Sequence, residues 1–213
     1  MAETKRIVVG ISGASGALYA QRLIRVLVGG GHEVHVTATG PGQRLLHDEL
    51  GMERMDVAQL AGLADGEDPE SCGVYRHHWK DVGAVIASGS FLHDGMVVVP
   101  CSSNTLGMLA SGVGDNLLTR AAHVTLKERR RLVLVHREMP LGMIDIENMR
   151  RITEAGAIVC PANPGFYLLP QSVDDLVDFV VGKALDLLGV EHGLDVRWED
   201  QLDEARELRR ADA

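Results

Sequence analysis

The sequence predicts a single α/β domain, a three-layer Rossmann-like (flavodoxin-like) fold with a doubly wound parallel sheet. Short, β-rich apolar runs alternate with stretches whose apolar residues recur at helical spacing. The apolar runs are continuous rather than alternating, which is typical of strands that helices cover on both faces. No internal repeat and no linker divides the 213 residues, a length that suits one ordinary domain.

Strands and helices are predicted in turn along the chain. The first strand, 5–9, leads to a helix over 17–28 that stops at Gly29-Gly30-Gly31, because glycine runs end helices. The last long helix, 172–188, is predicted to begin at Ser172, with Asp175 completing a capping box. The other strands are predicted at 33–39, 96–100, 132–136 and 157–160, and the other helices at 43–50, 106–110, 116–126 and 146–154.

Three segments carry weaker patterns. Residues 51–80 show no clear period and contain a predicted loop at 65–73, and 82–87 predicts a short strand or a turn. A charged extension, 191–213, follows the domain at 1–190, with a short helix predicted over 199–210. The pattern does not decide whether this extension packs on a neighbouring subunit or is disordered.

Composition narrows the functional classes. The formal net charge of −9 argues against a nucleic-acid partner but is compatible with a small anionic ligand in a local pocket. Cys72, Cys101 and Cys160 lack the spacing of a zinc site or a disulfide framework, so we expect reduced thiols and no metal. The sequence shows neither a signal-peptide core nor a membrane span, which predicts a cytoplasmic protein with no membrane partner.

The stretch "GISGASGA" follows the first strand, with Gly10, Gly13 and Gly16 at three-residue spacing. A dinucleotide site would have the spacing G-x-G-x-x-G and an acidic residue at the end of the second strand. Here that strand ends with Thr37 and Thr39, hydroxyls that suit a phosphate or a sugar oxygen. The stretch therefore favours a mononucleotide at the first helix N-terminus, with a purely structural turn as the alternative.

Two more loops follow predicted strands and carry polar side chains. "PCSSNT" offers four of them in a row, which favours a ligand-facing loop over a simple helix cap: Ser102, Ser103, Asn104 and Thr105. In "HREMP", Arg137 could clamp a phosphate and Glu138 could move protons, unless the two form a surface ion pair.

Tyr167, Lys127 and Lys183 are further candidates. Tyr167 in "NPGFY" could hydrogen-bond an anion or could pack the loop. Lys127 begins the basic run "KERRR", which otherwise predicts a solvated face. Lys183 lies among apolar neighbours in a helix, where it could face a site or extend to solvent.

Taken together, these stretches resemble the flavin prenyltransferases of the UbiX type. The resemblance runs from about residue 5 to 189 through "GISGASGALY", "GMVVVPCSSNTL", "LTRAAHVTLKERRRLVLVHREMPL" and "GFYLLPQSVDDLVDFVVGKALDLLG". It implies an enzyme that transfers a dimethylallyl group from dimethylallyl phosphate to N5 and C6 of reduced FMN. It also implies a homododecamer that supplies prenylated FMN to a UbiD-type decarboxylase.

The resemblance implies roles for individual residues. Ser15, Glu49 and Glu138 would serve the proton transfers. The prenyl phosphate would be held by Arg120, Lys127, Tyr167 and Lys183. FMN would be bound by Gly13, Ala14, Ser15, Thr39, Ser102, Ser103, Asn104, Thr105 and Arg137.

Two alternatives remain at this point. "SSNT" is similar to the "SANT" loop of flavin-dependent cysteine decarboxylases, although the chain lacks their "MNxxMW" stretch. A non-catalytic flavin-binding subunit of a decarboxylase is the other alternative. The sequence departs from the prenyltransferase pattern at Val82, at Leu168-Leu169 and at Lys183.

Overall fold

The computed structural model describes residues 3–194 and 196, and every element below lies within them. The strands are β1 Arg6–Ile11, β2 Glu33–Ala38, β3 Val74–His77, β4 Gly95–Cys101, β5 Arg131–His136 and β6 Ile158–Val159. The helices are α1 Ala17–Gly29, α2 Gly40–Leu50, α3 Val57–Ala61, α4 Ser103–Ala110, α5 Leu117–Lys127, α6 Met143–Glu154 and α7 Val173–Leu188.

The six strands form one sheet in which every paired neighbour is parallel. Their order is β3-β2-β1-β4-β5-β6, the order of the doubly wound Rossmann fold. The chain winds from β1 toward one edge and then returns to place β4 on the other side of β1. The predicted fold class is confirmed.

Two hydrophobic cores lie on the two faces of the sheet, because successive side chains of a buried strand point to opposite faces. On β1, Val9 packs with the buried residues of α1 and α7, whereas Val8 packs with those of α4 and α5. Residues of β4 and β5 divide between the two cores in the same way. This division explains why the strands read as unbroken apolar runs.

Several helices begin directly after a residue whose side chain caps them. Ser172 caps α7 and Asp175 completes the capping box, as predicted. Helices α2, α4 and α6 begin about three residues before the predicted positions, because their first three residues contain no buried apolar side chain. Ile152 is the buried residue of α6, so the apolar period appears only late in that helix.

The weakly patterned segment 51–80 contains two elements that the sequence did not reveal, α3 and the edge strand β3. Residues 82–87 hold a short 3₁₀ turn, Val85–Ala87, rather than a strand. Strand β6 has two residues instead of the four predicted. The helix predicted at 199–210 lies outside the described residues. Within them, no helix is both long enough and apolar enough to cross a bilayer.

Candidate functional site

A cleft of about 490 Å³ lies at the carboxyl edge of the sheet, where the loops after β1, β2, β4 and β5 meet. Ligands of doubly wound folds bind at this edge, beside the point where the strand order reverses. The cleft is lined by Gly13, Thr39, Gly40, Pro41, Trp79, Ser102, Ser103, Asn104, Thr105, Met108, Asp115, Asn116 and Glu138.

Three helices begin at this cleft, and the N-cap of each lines it. Thr39 Oγ1 accepts from Gly42 N at 3.0 Å at the start of α2, and Ser102 Oγ accepts from Thr105 N at 3.3 Å at the start of α4. At the start of α5, Asn116 Oδ1 accepts from Thr119 N at 3.1 Å. Helix N-termini carry partial positive charge and unpaired N–H groups, so their convergence suits an anion such as a phosphate.

No basic side chain is among the described residues that line the cleft, and Asp115 and Glu138 are acidic. Any attraction of this lining for an anion therefore comes from backbone dipoles rather than from charged side chains.

The glycine spacing of the first loop has a packing cause. A Cβ on Gly13 would lie 2.4 Å from Pro41 Cβ, so the loops after β1 and β2 approach closely only with glycine here. Gly16 has φ +129°, a conformation that side chains other than glycine rarely adopt. Gly13 brings the β1 loop against the loop of Thr39 and so shapes one wall of the cleft.

The N-terminus of α1 is bound by a side chain of the same chain. Glu49 Oε2 accepts from Gly16 N at 3.0 Å and from Ala17 N at 2.8 Å. A carboxylate therefore uses the first donors of α1, beside the residues predicted to bind the flavin phosphate. The mononucleotide predicted at this helix N-terminus stays a prediction. Ser15 is exposed immediately before them, and Ala14 is buried.

Ser12, which the sequence analysis did not single out, joins the β1 and β4 loops. Its buried Oγ donates to Pro100 O at 2.9 Å and accepts from Ser102 N at 2.8 Å. Because the donor and the acceptor are both used, the hydroxyl fixes the start of α4 against β1.

Arg137 and Glu138 follow β5. Arg137 Nε donates to Ser15 O at 3.2 Å, which connects the β5 loop to the glycine loop. Burial raises the pKa of Tyr19, and the positive charge of Arg137 partly opposes this effect. Glu138 lines the cleft, and its Oε1 accepts from Met139 N at 3.1 Å. A carboxylate is thus present in the cleft, where it can exchange a proton with a bound molecule.

Ser103 has polar neighbours beneath the cleft. Its Oγ lies 3.2 Å from Nε2 of the buried His136. Burial lowers the pKa of His136, so the imidazole is neutral at pH 7. A hydrogen bond from Ser103 lowers the pKa of Asp145, which Gly142 N lowers further. The Ser103 hydroxyl is therefore oriented by α6 and β5 as well as by its own helix.

Four predicted phosphate ligands do not line the cleft within a single chain. Arg120 is exposed on α5, one turn after Asn116, and Lys127 at the other end of that helix is 3.2 Å from Glu128. Ten residues of helix separate Lys127 from the start of α5, which is about 15 Å.

Tyr167 packs against α7, and Lys183 lies on that helix near Cys160, which directly follows β6. The Tyr167 ring packs edge-to-face on Phe179 at 5.6 Å between centroids. Lys183 is exposed on α7, and its charge opposes the effect of burial that raises the pKa of Cys160. Both side chains are on the surface, where a second chain could meet them.

Trp79, Met108, Asp115 and Asn116 line the cleft although the sequence analysis gave them no role there. Leu117 N donates to Trp79 O at 2.8 Å, a contact between distant segments that no local pattern reveals. Asn116 could have been found from its capping position before α5. The sequence suggested that Thr37, like Thr39, offers its hydroxyl to a ligand. Thr37 is buried instead, and its Oγ1 has no hydrogen-bond partner among the described residues.

The described residues contain no group of three or more His, Cys, Asp or Glu side chains arranged for a metal ion. The cleft combines hydroxyls, one amide, backbone N–H groups and carboxylates. This chemistry can bind an anion and move a proton, and Trp79 adds an aromatic wall.

Comparison with known proteins gives a consistent result. Residues 1–185 match the model of the family described as Flavoprotein. The chain is 46% identical over 199 residues to the flavin prenyltransferase UbiX of Halalkalibacterium halodurans, covering 92% of this chain and 94% of that protein. It is 45% identical over 200 residues to the flavin prenyltransferase LpdB of Lactiplantibacillus plantarum, covering 92% and 98%.

Solved structures of UbiX-type proteins have the same fold as this chain. AnUbiX (PadA1), crystallised with FMN and dimethylallyl pyrophosphate, superposes with a TM-score of 0.82 at 40% identity, covering 92% of this chain and 98% of that one. A dodecameric FMN-dependent UbiX-like decarboxylase from Escherichia coli O157:H7 gives 0.79 at 40% identity, covering 91% and 98%. The cysteine decarboxylase TvaF gives 0.59 at 15% identity, covering 88% and 99%, and shares the fold alone.

Proposed function

The chain belongs to the flavin prenyltransferases of the flavoprotein family, and from this premise we propose that it transfers a dimethylallyl group to N5 and C6 of reduced FMN. The donor is dimethylallyl phosphate, although the AnUbiX crystals contained the pyrophosphate. The observation that carries the proposal is the cleft at which α2, α4 and α5 begin, since the partial positive charge of three helix N-termini suits a flavin phosphate.

The cleft suits FMN in size and in chemistry. A volume of about 490 Å³ is within the range of small-molecule sites. Thr39 and the hydroxyls of Ser102–Thr105 would hold the polar atoms of FMN, while Trp79 and Met108 would contact apolar ones. When bound, reduced FMN supplies the electron-rich atoms that attack the allyl carbon.

The residues around the glycine loop would handle the protons. Closing a ring at C6 requires a proton to leave, and Glu138 is a carboxylate within the cleft that can accept it. Ser15 would be positioned by its backbone contact with Arg137 and by Glu49, which fixes the adjacent Gly16 and Ala17. Arg137 would also add positive charge beside the glycine loop.

Departure of the phosphate from the allyl carbon places negative charge on its oxygens, which cations and a tyrosine hydroxyl stabilise. Arg120, Lys127, Tyr167 and Lys183 would provide this, yet they do not line the cleft within one chain. We therefore propose that the site is completed between subunits of a homo-oligomer, a dodecamer as in the E. coli relative.

The product, prenylated FMN, would serve a UbiD-type decarboxylase. Cysteine decarboxylation is a second candidate, and only the similarity of the "SSNT" loop supports it. The solved cysteine decarboxylases are 15–20% identical to this chain, so their likeness shows the fold alone.

Phosphate release tests the proposal. We expect inorganic phosphate from dimethylallyl phosphate, under anaerobic conditions, only when reduced FMN is present. Over many turnovers the Glu138→Gln variant should release much less, because the reaction stalls at the proton removal that follows phosphate departure. Parallel reactions with the pyrophosphate would identify the better donor. Release of CO₂ from a cysteine-ended peptide, without phosphate release from either donor, would contradict the proposal and favour the cysteine decarboxylase.

A further inference from the structure

An apolar groove of about 510 Å³ lies at the start of α7. Three large side chains in it are mostly exposed: Phe166 at 70%, Leu169 at 75% and Val173 at 63%. Pro170 and Leu176 complete its apolar lining. A contiguous exposed apolar surface usually marks a site that another protein segment, a membrane or a ligand covers.

The chain after α7 turns back along that helix toward the groove. His192 Nε2 lies 3.3 Å from Asp186 Oδ1, near the end of α7. Val196 lies further back, against Gly182, where an added Cβ would be 2.4 Å from Val196 Cγ2. The missing side chain of Gly182 thus gives the returning segment room to pack on the helix.

Val196 also brings the chain to the edge of the groove. It lines a cavity of about 250 Å³ with Leu168, Phe179 and Pro170, and Pro170 belongs to the groove as well. Nine residues of helix, about 14 Å, separate Gly182 from Val173. Four or five extended residues span that distance, so the residues directly after Val196 can reach the groove.

We propose that segment 197–213 of the same chain docks in this groove, with Trp198 and Leu202 as its apolar anchors. Trp198, Leu202 and Ala205 have the i, i+4, i+7 spacing of one helix face, and charged residues occupy most positions between them. Arg197 precedes Trp198 and would come beside the acidic first turn of α7, which carries Asp174 and Asp175.

Docking would restrain the loop between Phe166 and Leu169. Tyr167 lies in this loop, and in the proposed function it binds the phosphate of the prenyl donor. This consequence rests on the proposed function, whereas the docking itself rests on the groove and on the direction of the chain.

Tryptophan fluorescence tests the docking. The sequence contains two tryptophans, so a Trp79→Phe background leaves Trp198 as the single emitter. We expect blue-shifted emission and weak quenching by acrylamide in this background. Adding Val173→Asp should shift the emission to that of solvent-exposed tryptophan, because it places a charge in the groove. Circular dichroism checks that the variant remains folded.

Met143→Asp is the matched control, since Met143 is also the first residue of a helix and is 77% exposed. It should leave the emission unchanged. Unchanged emission in the Val173→Asp variant, or exposed emission in the background itself, would overturn the proposal.

A mixing experiment tests whether the docking is within one chain. Full-length Trp79→Phe/Val173→Asp protein is refolded together with full-length Trp79→Phe/Trp198→Ala protein, which has an intact groove and no tryptophan. Docking within one chain predicts that the emission stays exposed in the mixture. Recovery of blue-shifted emission would show a segment bound in the groove of another copy and would overturn the proposal.

Discussion

The backbone of Ser15 has a structural contact, whereas its side chain is the part to which the proposed function gives a role in proton transfer. Its carbonyl accepts from Arg137 Nε at 3.2 Å, whereas its side chain is exposed beside the cleft. Substitution of the hydroxyl leaves the backbone contact in place. The side chain can therefore be tested without removing the connection between the β1 and β5 loops.

We expect Ser15→Ala to slow prenyl transfer by about 100-fold, the lower range of proton-transfer catalysis. The Kd for FMN should change by less than about tenfold, the value of one neutral hydrogen bond. Single-turnover kinetics and FMN titration measure the two effects. Ser90→Ala, in a loop outside the cleft, is the control, and equal losses of rate and affinity would show that Ser15 only holds FMN.

His93 links stability to pH. Burial lowers its pKa to about 4, below the usual 6.5, and a hydrogen bond to Gly95 O opposes this only in part. The unfolded chain therefore binds more protons between pH 6.5 and pH 4, and the free energy of unfolding must fall as the pH falls through this range. His77, whose pKa is also lowered to about 4 by burial, acts in the same direction.

Urea unfolding at pH 7 and pH 4.5 checks this linkage. We expect His93→Asn to lose less stability between the two pH values than the unmodified chain does, by at most about 3 kcal/mol. The asparagine is neutral at both pH values and keeps a donor for Gly95 O. An equal loss in the variant and the unmodified chain would rule out His93 as a source of the pH dependence.

At the scale of elements, Glu49 stabilises the start of α1 from the end of α2. Its carboxylate accepts from the first backbone N–H groups of α1, as a capping residue would. This structural role exists beside the proton-transfer role that the family resemblance implies. The two can be separated, because one affects unfolding and the other affects turnover.

We expect Glu49→Ala to lower the free energy of unfolding by about 0.5–2 kcal/mol, the value of a helix cap. Glu49→Gln should lose less, since its amide oxygen still accepts. Asp48→Ala is the control, because the exposed pair of Asp48 with Arg44 at 3.3 Å contributes little. Urea titrations measure all three, and equal effects of Asp48→Ala and Glu49→Ala would refute the capping role.

The sequence predicted the elements that are long or continuously apolar, and it missed the others for physical reasons. Strand β3 is at the edge of the sheet, and its side chains are only partly buried, so no apolar run marks it. Helix α3 has five residues and one recognisable signal, its N-cap Asp56. Strand β6 is shorter than predicted, because only two residues pair with β5.

The site was predicted where loops directly follow strands, as for Thr39, Ser102 and Glu138. Trp79 was missed because it reaches the cleft through a contact between distant segments. Asn116 could be recognised as a helix cap, but no local pattern shows that this cap lines the cleft. The contact of Glu49 with the N-terminus of α1 could not be foreseen either. It depends on a carboxylate 33 residues away in sequence.

At the scale of the whole molecule, one chain provides a cleft with an acid and helix N-termini but without basic side chains among its described lining residues. Lys127 lies about 15 Å along α5 from the cleft. Exposed apolar side chains after β5 could mediate association: Met139, Leu141, Met143 and Ile144. These features explain why the proposed site requires more than one copy.

Mixing inactive variants tests this requirement. We expect Lys127→Ala and Glu138→Gln each to be nearly inactive alone and to regain activity after refolding together, because some mixed sites would combine intact residues from two chains. The double variant refolded with either single variant is the control and should stay inactive. No recovery in the first mixture would show that each chain completes its own site.

The mass of the flavin after turnover tests the central claim most directly. The protein is incubated anaerobically with reduced FMN and dimethylallyl phosphate, and the flavin is extracted and analysed by mass spectrometry. Flavin prenyl transfer predicts FMN heavier by one C₅H₈ unit, formed only when protein and donor are both present. Recovery of unmodified FMN alone, from folded protein that binds FMN, would contradict it.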